Sequence, residues 1–223
     1  MSEPAPKKSE MTREKIVHAS LALFAKKGYT ESTMRDIAKE AGVSLGLTYR
    51  YFSRKEELVL ALYEDLSKEA VHRIQSIQGG TLATRYPKAL THCLAALGPH
   101  RMTLGALFSA GLSIDSSVAV FGENSSGIRL RMRDAFKKLA EESTDAPKAD
   151  ASEQFATLLY AGHLITILFW LQDRSENQAN TERLLTFYEK VLKIGRPFMK
   201  MKIVNGLLEE FVQIIEPMFV RLT

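Results

Sequence analysis

A chain of 223 residues with 45% apolar content is long enough for one large domain or two small ones, each with a real core. Its single cysteine, Cys93, excludes an internal disulfide and fits a reducing cytoplasm. The positive charge is concentrated near the N-terminus, because residues 1–55 carry 11 Lys or Arg against 6 Asp or Glu, while the chain as a whole carries 30 against 26. This distribution is typical of a nucleic-acid-binding segment and excludes a uniformly basic protein.

The first residues, MSEPAPKKSE, contain no apolar stretch and are not expected to be a signal peptide. Their Pro, Ser and Lys content predicts a disordered arm over residues 1–11. Lys7 and Lys8 either contact DNA phosphates or only keep the arm soluble, and the sequence leaves both possibilities open.

Three helices follow in residues 12–58, and the second and third are joined by a tight turn. Thr12 is expected to begin the first helix and Gly28 to end it. Thr33 is expected to cap the second helix, over 34–40, with Asp36 three residues further on. The turn between the second helix and the third, over 45–52, is Ala41-Gly42-Val43-Ser44, in which Gly42 permits a positive φ and Ser44 caps the next helix. Two short helices held at a fixed angle form a helix-turn-helix.

The rest of the chain also predicts helices, and no strand-like alternation persists anywhere. Ser53, with Glu56 three residues later, is expected to cap a fourth helix that continues towards Ile77 and is broken by Gly79 and Gly80. Further helices are expected over 84–97, 101–112, 125–142, 151–173, 180–200 and 203–221. The predicted fold class is all-α, with a three-helix head and a larger helical domain over residues 59–223.

One segment, residues 155–172, has no charged side chain and is nearly long enough to span a bilayer. Thr157, His163 and Thr166 lie inside it, and neither flank carries a basic cluster, so we predict a buried helix and no membrane association.

Residues 16–62 resemble the DNA-binding domain of the TetR family of bacterial repressors. The residues that carry this resemblance occur in the family's order: Ala19, Phe24, Gly28, Tyr29, Thr33, Asp36, Ile37, Ala38, Ala41, Gly42, Val43, Ser44, Gly46, Tyr49, Tyr51, Phe52, Lys55, Glu56, Glu57 and Leu58. No single one of these residues is specific to the family, but the spacing of all of them together is.

The resemblance implies a set of DNA-contacting positions: Thr33, Arg35, Ser44, Leu45, Gly46, Leu47, Tyr49, Arg50, Tyr51 and Lys55. Thr33 would bind a phosphate at a helix N-terminus, and the Tyr49 and Tyr51 hydroxyls with Lys55 would hold the backbone. Leu45 and Leu47 are apolar where many relatives carry hydrogen-bonding groups. We therefore expect thymine-methyl contacts there and base readout by Arg35. Tyr49 could instead belong to the core, whereas Phe52 is assigned to it.

The resemblance also implies a homodimer with a ligand pocket in the second domain. Apolar faces on the helices over 151–173 and 180–200 predict a four-helix interface, with Gly162 and Gly195 allowing close approach. Candidate pocket residues are His92, Cys93, Met102, Phe108, Tyr160, His163 and Trp170, although such residues at helical spacing also occur as ordinary core.

The predicted function is a cytoplasmic, ligand-responsive transcriptional regulator. We expect a repressor that binds a palindromic DNA operator as a dimer and is released by a small hydrophobic molecule; activation stays open. The alternative is an architectural DNA-binding protein without ligand control. No metalloprotease, phosphate-loop or nucleophile-elbow motif occurs, and the histidines lack metal-ligand spacing, so we predict no enzyme, cofactor or metal site.

Overall fold

The computed structural model describes residues 8–112, 123–198 and 202–219, and within them the chain forms ten α-helices and no strand. The all-α prediction is confirmed. The helices are α1 (Lys8–Lys27), α2 (Met34–Glu40), α3 (Leu45–Tyr51), α4 (Lys55–Gln75), α5 (Leu82–Leu97), α6 (Arg101–Leu112), α7 (Ser126–Glu141), α8 (Ser152–Gln172), α9 (Ala179–Phe198) and α10 (Lys202–Phe219).

The first helix begins earlier than predicted. Thr12 lies inside α1, and its hydroxyl donates to the carbonyl of Lys8 at 2.9 Å instead of capping the helix. Residues 8–11, expected in the disordered arm, are therefore helical, while Lys7 lies outside the described residues. The predicted end of α1 is confirmed, because Gly28 adopts a φ of +84° and its N–H donates to the carbonyl of Phe24 at 3.0 Å.

The chain divides into two compact units, and the division is not continuous in sequence. The first, here called the head unit, contains residues up to Asp65 together with His100–Ser125; the second unit contains Leu66–Pro99 and the residues from Ser126 onwards. The sequence predicted one continuous second domain over 59–223. Helix α6 instead packs against α1 of the head unit, where the buried Thr103 hydroxyl donates to the carbonyl of Leu21 at 3.3 Å.

A small apolar core holds the head unit together. The fully buried side chains include Ile16 and Phe24 from α1, Ile37 from α2 and Leu58 from α4. Phe52, directly after α3, is 3% exposed, which confirms its assignment to the core. Burial of these side chains is the main stabilising contribution to so small a unit.

The core of the second unit is built from α5, α7, α8 and α9 around Tyr86, Leu90, Phe136 and Leu159. Helix α8 is long and apolar enough to cross a membrane by length and composition. It packs against α7, α5, α9 and α10, and much of its surface is buried there, which supports the prediction of a core helix.

The apolar residues of α8 and α9, the two helices predicted to form the dimer interface, divide between the core and the surface. Leu185, Tyr188 and Leu192 of α9 pack on the core of their own chain. Exposed residues form the outer side of both helices: Ile165, Leu168, Phe169, Phe187, Val191 and Ile194. We call this set the α8–α9 stripe.

Gly162 was expected to let a partner subunit approach closely. The space left by its missing side chain is instead occupied by another residue of the same chain. A Cβ at this position would collide with the hydroxyl of Tyr86 from α5. That hydroxyl donates to the carbonyl of Leu159 at 2.8 Å. The missing side chain of Gly162 thus allows α5, rather than a second subunit, to contact α8.

Candidate nucleic-acid interface and candidate ligand site

The helix-turn-helix is built by local caps that the sequence predicted. The Thr33 hydroxyl accepts from the Asp36 N–H at 3.2 Å, and the Asp36 carboxylate accepts from the Thr33 N–H at 3.0 Å. Gly42 adopts a φ of +60° in the turn. Ser44 then accepts from the Leu47 N–H at 3.1 Å and starts α3. These caps and the packing of α2 against α3 and α1 fix the angle between the two short helices.

Helix α3 presents one polar and cationic side to solvent. Thr48 is fully buried, whereas Tyr49 is 49% exposed, so Tyr49 does not belong to the core. Arg50 and Gly46 are also exposed, and the remaining predicted contact positions of α3 are half-buried: Leu45, Leu47 and Tyr51. Hydroxyl and guanidinium donors are the groups that bind phosphates and base edges.

Arg35 on α2 is exposed, so its guanidinium is accessible to a ligand. Lys27 is differently placed, because its ammonium contacts the Asp36 carboxylate at 2.7 Å. Lys27 and the Thr33 donors together hold the pKa of Asp36 well below its usual value. Of these two cations, Arg35 is thus the one available for a nucleic acid.

Two predicted phosphate contacts are already engaged within the chain. The Thr33 hydroxyl donates to the Asp36 carboxylate at 2.7 Å. The Lys55 ammonium donates to the carbonyls of Tyr29 at 2.7 Å and Thr30 at 3.3 Å, and it lies 4.2 Å from the centroid of the Tyr29 ring. An ammonium has three N–H donors, so the two carbonyls leave one further donor on Lys55, whereas the proton of the Thr33 hydroxyl is committed.

The start of α4 uses a different acid from the one predicted. Glu57, not Glu56, accepts from the N–H of Ser53 at 2.8 Å and from its hydroxyl at 2.6 Å. Glu56 instead accepts from the Tyr29 hydroxyl at 3.0 Å. Burial, and after it this hydrogen bond, raises the pKa of Tyr29 above its ordinary value. Tyr29 therefore ties the turn after α1 to the first turn of α4.

Only part of the predicted ligand set is brought together. Tyr160 and His163 are buried on α8 with ring centroids 6.0 Å apart, and the Phe136 ring lies 5.2 Å from His163. Burial lowers the pKa of His163 to about 4, so this imidazole is neutral at physiological pH. Cys93 is buried in the same core, and burial raises its pKa to about 12.

The other predicted ligand residues do not belong to this cluster of buried rings around His163. Met102 is 76% exposed and belongs to the head unit. His92 is half-buried with its Nδ1 3.0 Å from the carbonyl of Arg73, and the Trp170 indole donates to the amide oxygen of Gln178. Phe108 lies on α6, but its side chain is outside the described residues.

Sequence reasoning missed two buried arginines on α7. Arg129 and Arg133 are 3% and 8% exposed. Arg133 contacts the Glu153 carboxylate at 2.6 Å and donates to the Thr157 hydroxyl at 3.1 Å, so it joins α7 to α8. Their spacing of four residues places them on one helix face, which is the signal that could have identified them.

Two family models match the chain. One, described as bacterial regulatory proteins of the tetR family, matches residues 16–62. The other, described as a tetracyclin repressor-like C-terminal domain, matches residues 87–214, more than half of the chain.

Among curated proteins, the HTH-type transcriptional regulator YerO of Bacillus subtilis is 37% identical over 76 residues, which cover 34% of this chain and 26% of YerO. The matched segments span between 26% and 37% of the first curated relatives.

Solved structures of other proteins share the fold. A tetR-family transcriptional regulator from Streptomyces coelicolor has a TM-score of 0.64 at 18% identity, covering 92% of this chain and 89% of that one. FadR from Bacillus subtilis, in complex with stearoyl-CoA, has a TM-score of 0.60 at 18% identity, covering 78% and 96%.

Proposed function

Because the chain belongs to the TetR family of bacterial regulatory proteins, we propose that it is a cytoplasmic transcriptional repressor. In this proposal it binds a palindromic DNA operator as a homodimer. A small hydrophobic molecule bound in the second unit releases it.

DNA binding is supported above all by the exposed side of the helix-turn-helix. Tyr49 and Arg50 project from α3 and Arg35 from α2, while Thr48 and Phe52 anchor α3 in the core. An α-helix fits the major groove of B-DNA, and an arginine can pair with both acceptors of a guanine. We assign base readout to Arg35 and backbone contacts to Tyr49, Tyr51, Arg50 and the remaining donor of Lys55.

Dimerisation is supported by the α8–α9 stripe. Ile194, Phe187 and Ile165 are 67%, 58% and 56% exposed, and they lie on neighbouring helices of one unit. Exposed apolar side chains grouped in this way are typical of an interface. A two-fold dimer would bury the same stripe on both subunits and direct two heads to the two half-sites of a palindrome.

A hydrophobic effector is supported by the aromatic interior of the second unit, where Tyr160, His163 and Phe136 lie together. Burial keeps His163 neutral, so this interior favours apolar groups. FadR, which shares the fold, was crystallised with stearoyl-CoA. A long-chain acyl thioester is therefore the first class of compound to test.

Selection of bound duplexes from a random pool tests the DNA-binding part. We expect an enriched palindrome whose half-site centres are separated by about 10 base pairs or a multiple of that distance. Binding without any enriched sequence would instead indicate the architectural alternative, and the absence of binding would contradict the proposal as a whole.

Thermal unfolding tests the effector part, with stearoyl-CoA compared against free coenzyme A. A compound that binds the native state raises Tm, and the same compound should release the selected duplex. If acyl thioesters of several chain lengths leave both Tm and DNA binding unchanged, this effector class is wrong.

A further inference from the structure

Arg13 on α1 places a cation beside the end of the recognition helix α3. Its guanidinium carbon lies 5.3 Å from the centroid of the Phe52 ring. Phe52 directly follows α3 and stands between Tyr51 and Lys55, two predicted backbone contacts. An element outside the helix-turn-helix therefore contributes charge at the edge of the candidate DNA surface.

Packing explains where the Arg13 side chain lies. Arg13 precedes the buried Ile16 and Val17 by three and four residues, so its stem continues the apolar side of α1 over Phe52. The guanidinium reaches the rim of this core and contacts the ring face in a cation–π interaction. Arg13 itself is exposed, so the guanidinium is accessible from solvent.

The contact of Arg13 with an aromatic ring differs from the contacts of three other cations in the head unit. Three other cations of the head unit have oxygen partners: Lys27 contacts Asp36 at 2.7 Å, Arg54 contacts Glu57 at 3.9 Å, and Lys55 contacts backbone carbonyls. The contact that the structure shows for Arg13 is with the uncharged Phe52 ring, which does not neutralise a guanidinium. A cation in this position attracts an anion from solution.

We propose that Arg13 is a further DNA contact, which binds a backbone phosphate next to the groove that α3 enters. This inference rests on the proposed DNA-binding function. A guanidinium stacked on an aromatic ring keeps its edge donors free, and those donors match phosphate oxygens in pairs. The stack on Phe52 pre-orients the donors and reduces the rotamer freedom lost on binding.

The salt dependence of binding to a random-sequence duplex of about 30 base pairs tests this contact, because phosphate contacts do not depend on sequence. Arg13→Met keeps an apolar cover over Phe52 and removes the charge. It is expected to lower the slope of log K against log[salt] by about 0.9 for each bound head. Between about 50 mM and about 200 mM salt, the variant should therefore lose about 3.5-fold less affinity per head than the parent protein.

Lys26→Met is the matched control. Lys26 is an exposed cation in the last turn of the same helix, about 20 Å from Arg13 along the axis. This variant makes the same change in net charge and is expected to keep a parental slope. An equal decrease for both variants would mean that only the overall charge matters, and it would overturn the proposal.

Arg13→Gln and Arg13→Lys separate DNA contact from a merely structural role. The neutral Gln variant should repeat the lowered slope, while the Lys variant should retain the parental slope with weaker binding, because it keeps the charge and loses the paired donors. A parental slope for both neutral variants would contradict the phosphate contact while leaving the proposed function intact. Failure of the parent protein itself to bind duplex DNA would instead contradict the proposed function.

Discussion

The hydroxyl of Tyr86 on α5 lies directly over Gly162 on α8, in the space that a side chain at position 162 would occupy. The same hydroxyl donates to the carbonyl of Leu159 at 2.8 Å. The Tyr188 hydroxyl of α9 donates to the carbonyl of Gly162 at 3.3 Å, and the two tyrosine rings are 5.6 Å apart. Three helices of the second unit thus meet at one glycine.

Gly162→Ala is expected to destabilise the protein by about 1–3 kcal/mol, because the new methyl group displaces Tyr86 and weakens its hydrogen bond. Urea unfolding measures the change. Gly206→Ala is the control, since Gly206 lies on α10 of the same unit and a methyl group added there would meet no atom within 4 Å; the higher helix propensity of alanine should stabilise slightly at that position. If both substitutions changed the free energy of unfolding equally, the packing of Tyr86 would not require a glycine at position 162.

Arg35→Ala is expected to relax the preference for one base in each half-site. The loss of a paired contact with guanine costs about 1–3 kcal/mol of discrimination. The loss of discrimination is measured by comparing binding to the selected operator with binding to operators that carry single base changes. Lys26→Ala is the control for the lost positive charge. An unchanged base preference would mean that Arg35 contacts only the backbone.

Ile194→Glu is expected to shift the protein from dimer to monomer. A carboxylate in the middle of a buried apolar interface costs several kcal/mol, so the dimer Kd should rise by about 100-fold or more. Sedimentation equilibrium measures the shift. Leu130→Glu, at another partly exposed apolar position of the second unit, should leave the dimer intact. If both variants remain dimeric, the interface does not include the α8–α9 stripe.

Stability should fall at acid pH because of His163. Its pKa is about 4 in the folded protein against an ordinary value of 6.5. Between these values the unfolded chain binds a proton that the folded chain does not, so the free energy of unfolding decreases as pH falls through this window. The full effect is on the order of 3 kcal/mol.

Urea unfolding of His163→Gln at pH values above and below this window isolates that contribution. The variant is expected to lose less stability on acidification than the parent protein, whereas His72→Gln, at an exposed position of α4, should behave like the parent. Parallel pH profiles for the His163 variant and the parent would contradict the assignment to His163.

The sequence by itself determined the helices, most of their ends and the helix-turn-helix. The caps of Thr33 with Asp36 and of Ser44 with Leu47 join residues three apart, and Gly28 and Gly42 take the positive φ that ends a helix. Such interactions depend on near neighbours in the chain, so the order of residues is sufficient to predict them. The candidate contact positions on α2 and α3 follow from the same local pattern.

Only the tertiary structure decided which partner each side chain takes. Glu57 replaces Glu56 at the cap because Tyr29, from a distant turn, binds Glu56. Gly162 faces Tyr86 of the same chain, α6 packs in the head unit, and Arg13 reaches Phe52 across 39 positions. Neighbouring residues of similar chemistry are equivalent locally, and the choice between them is made by distant segments that packing brings within contact distance.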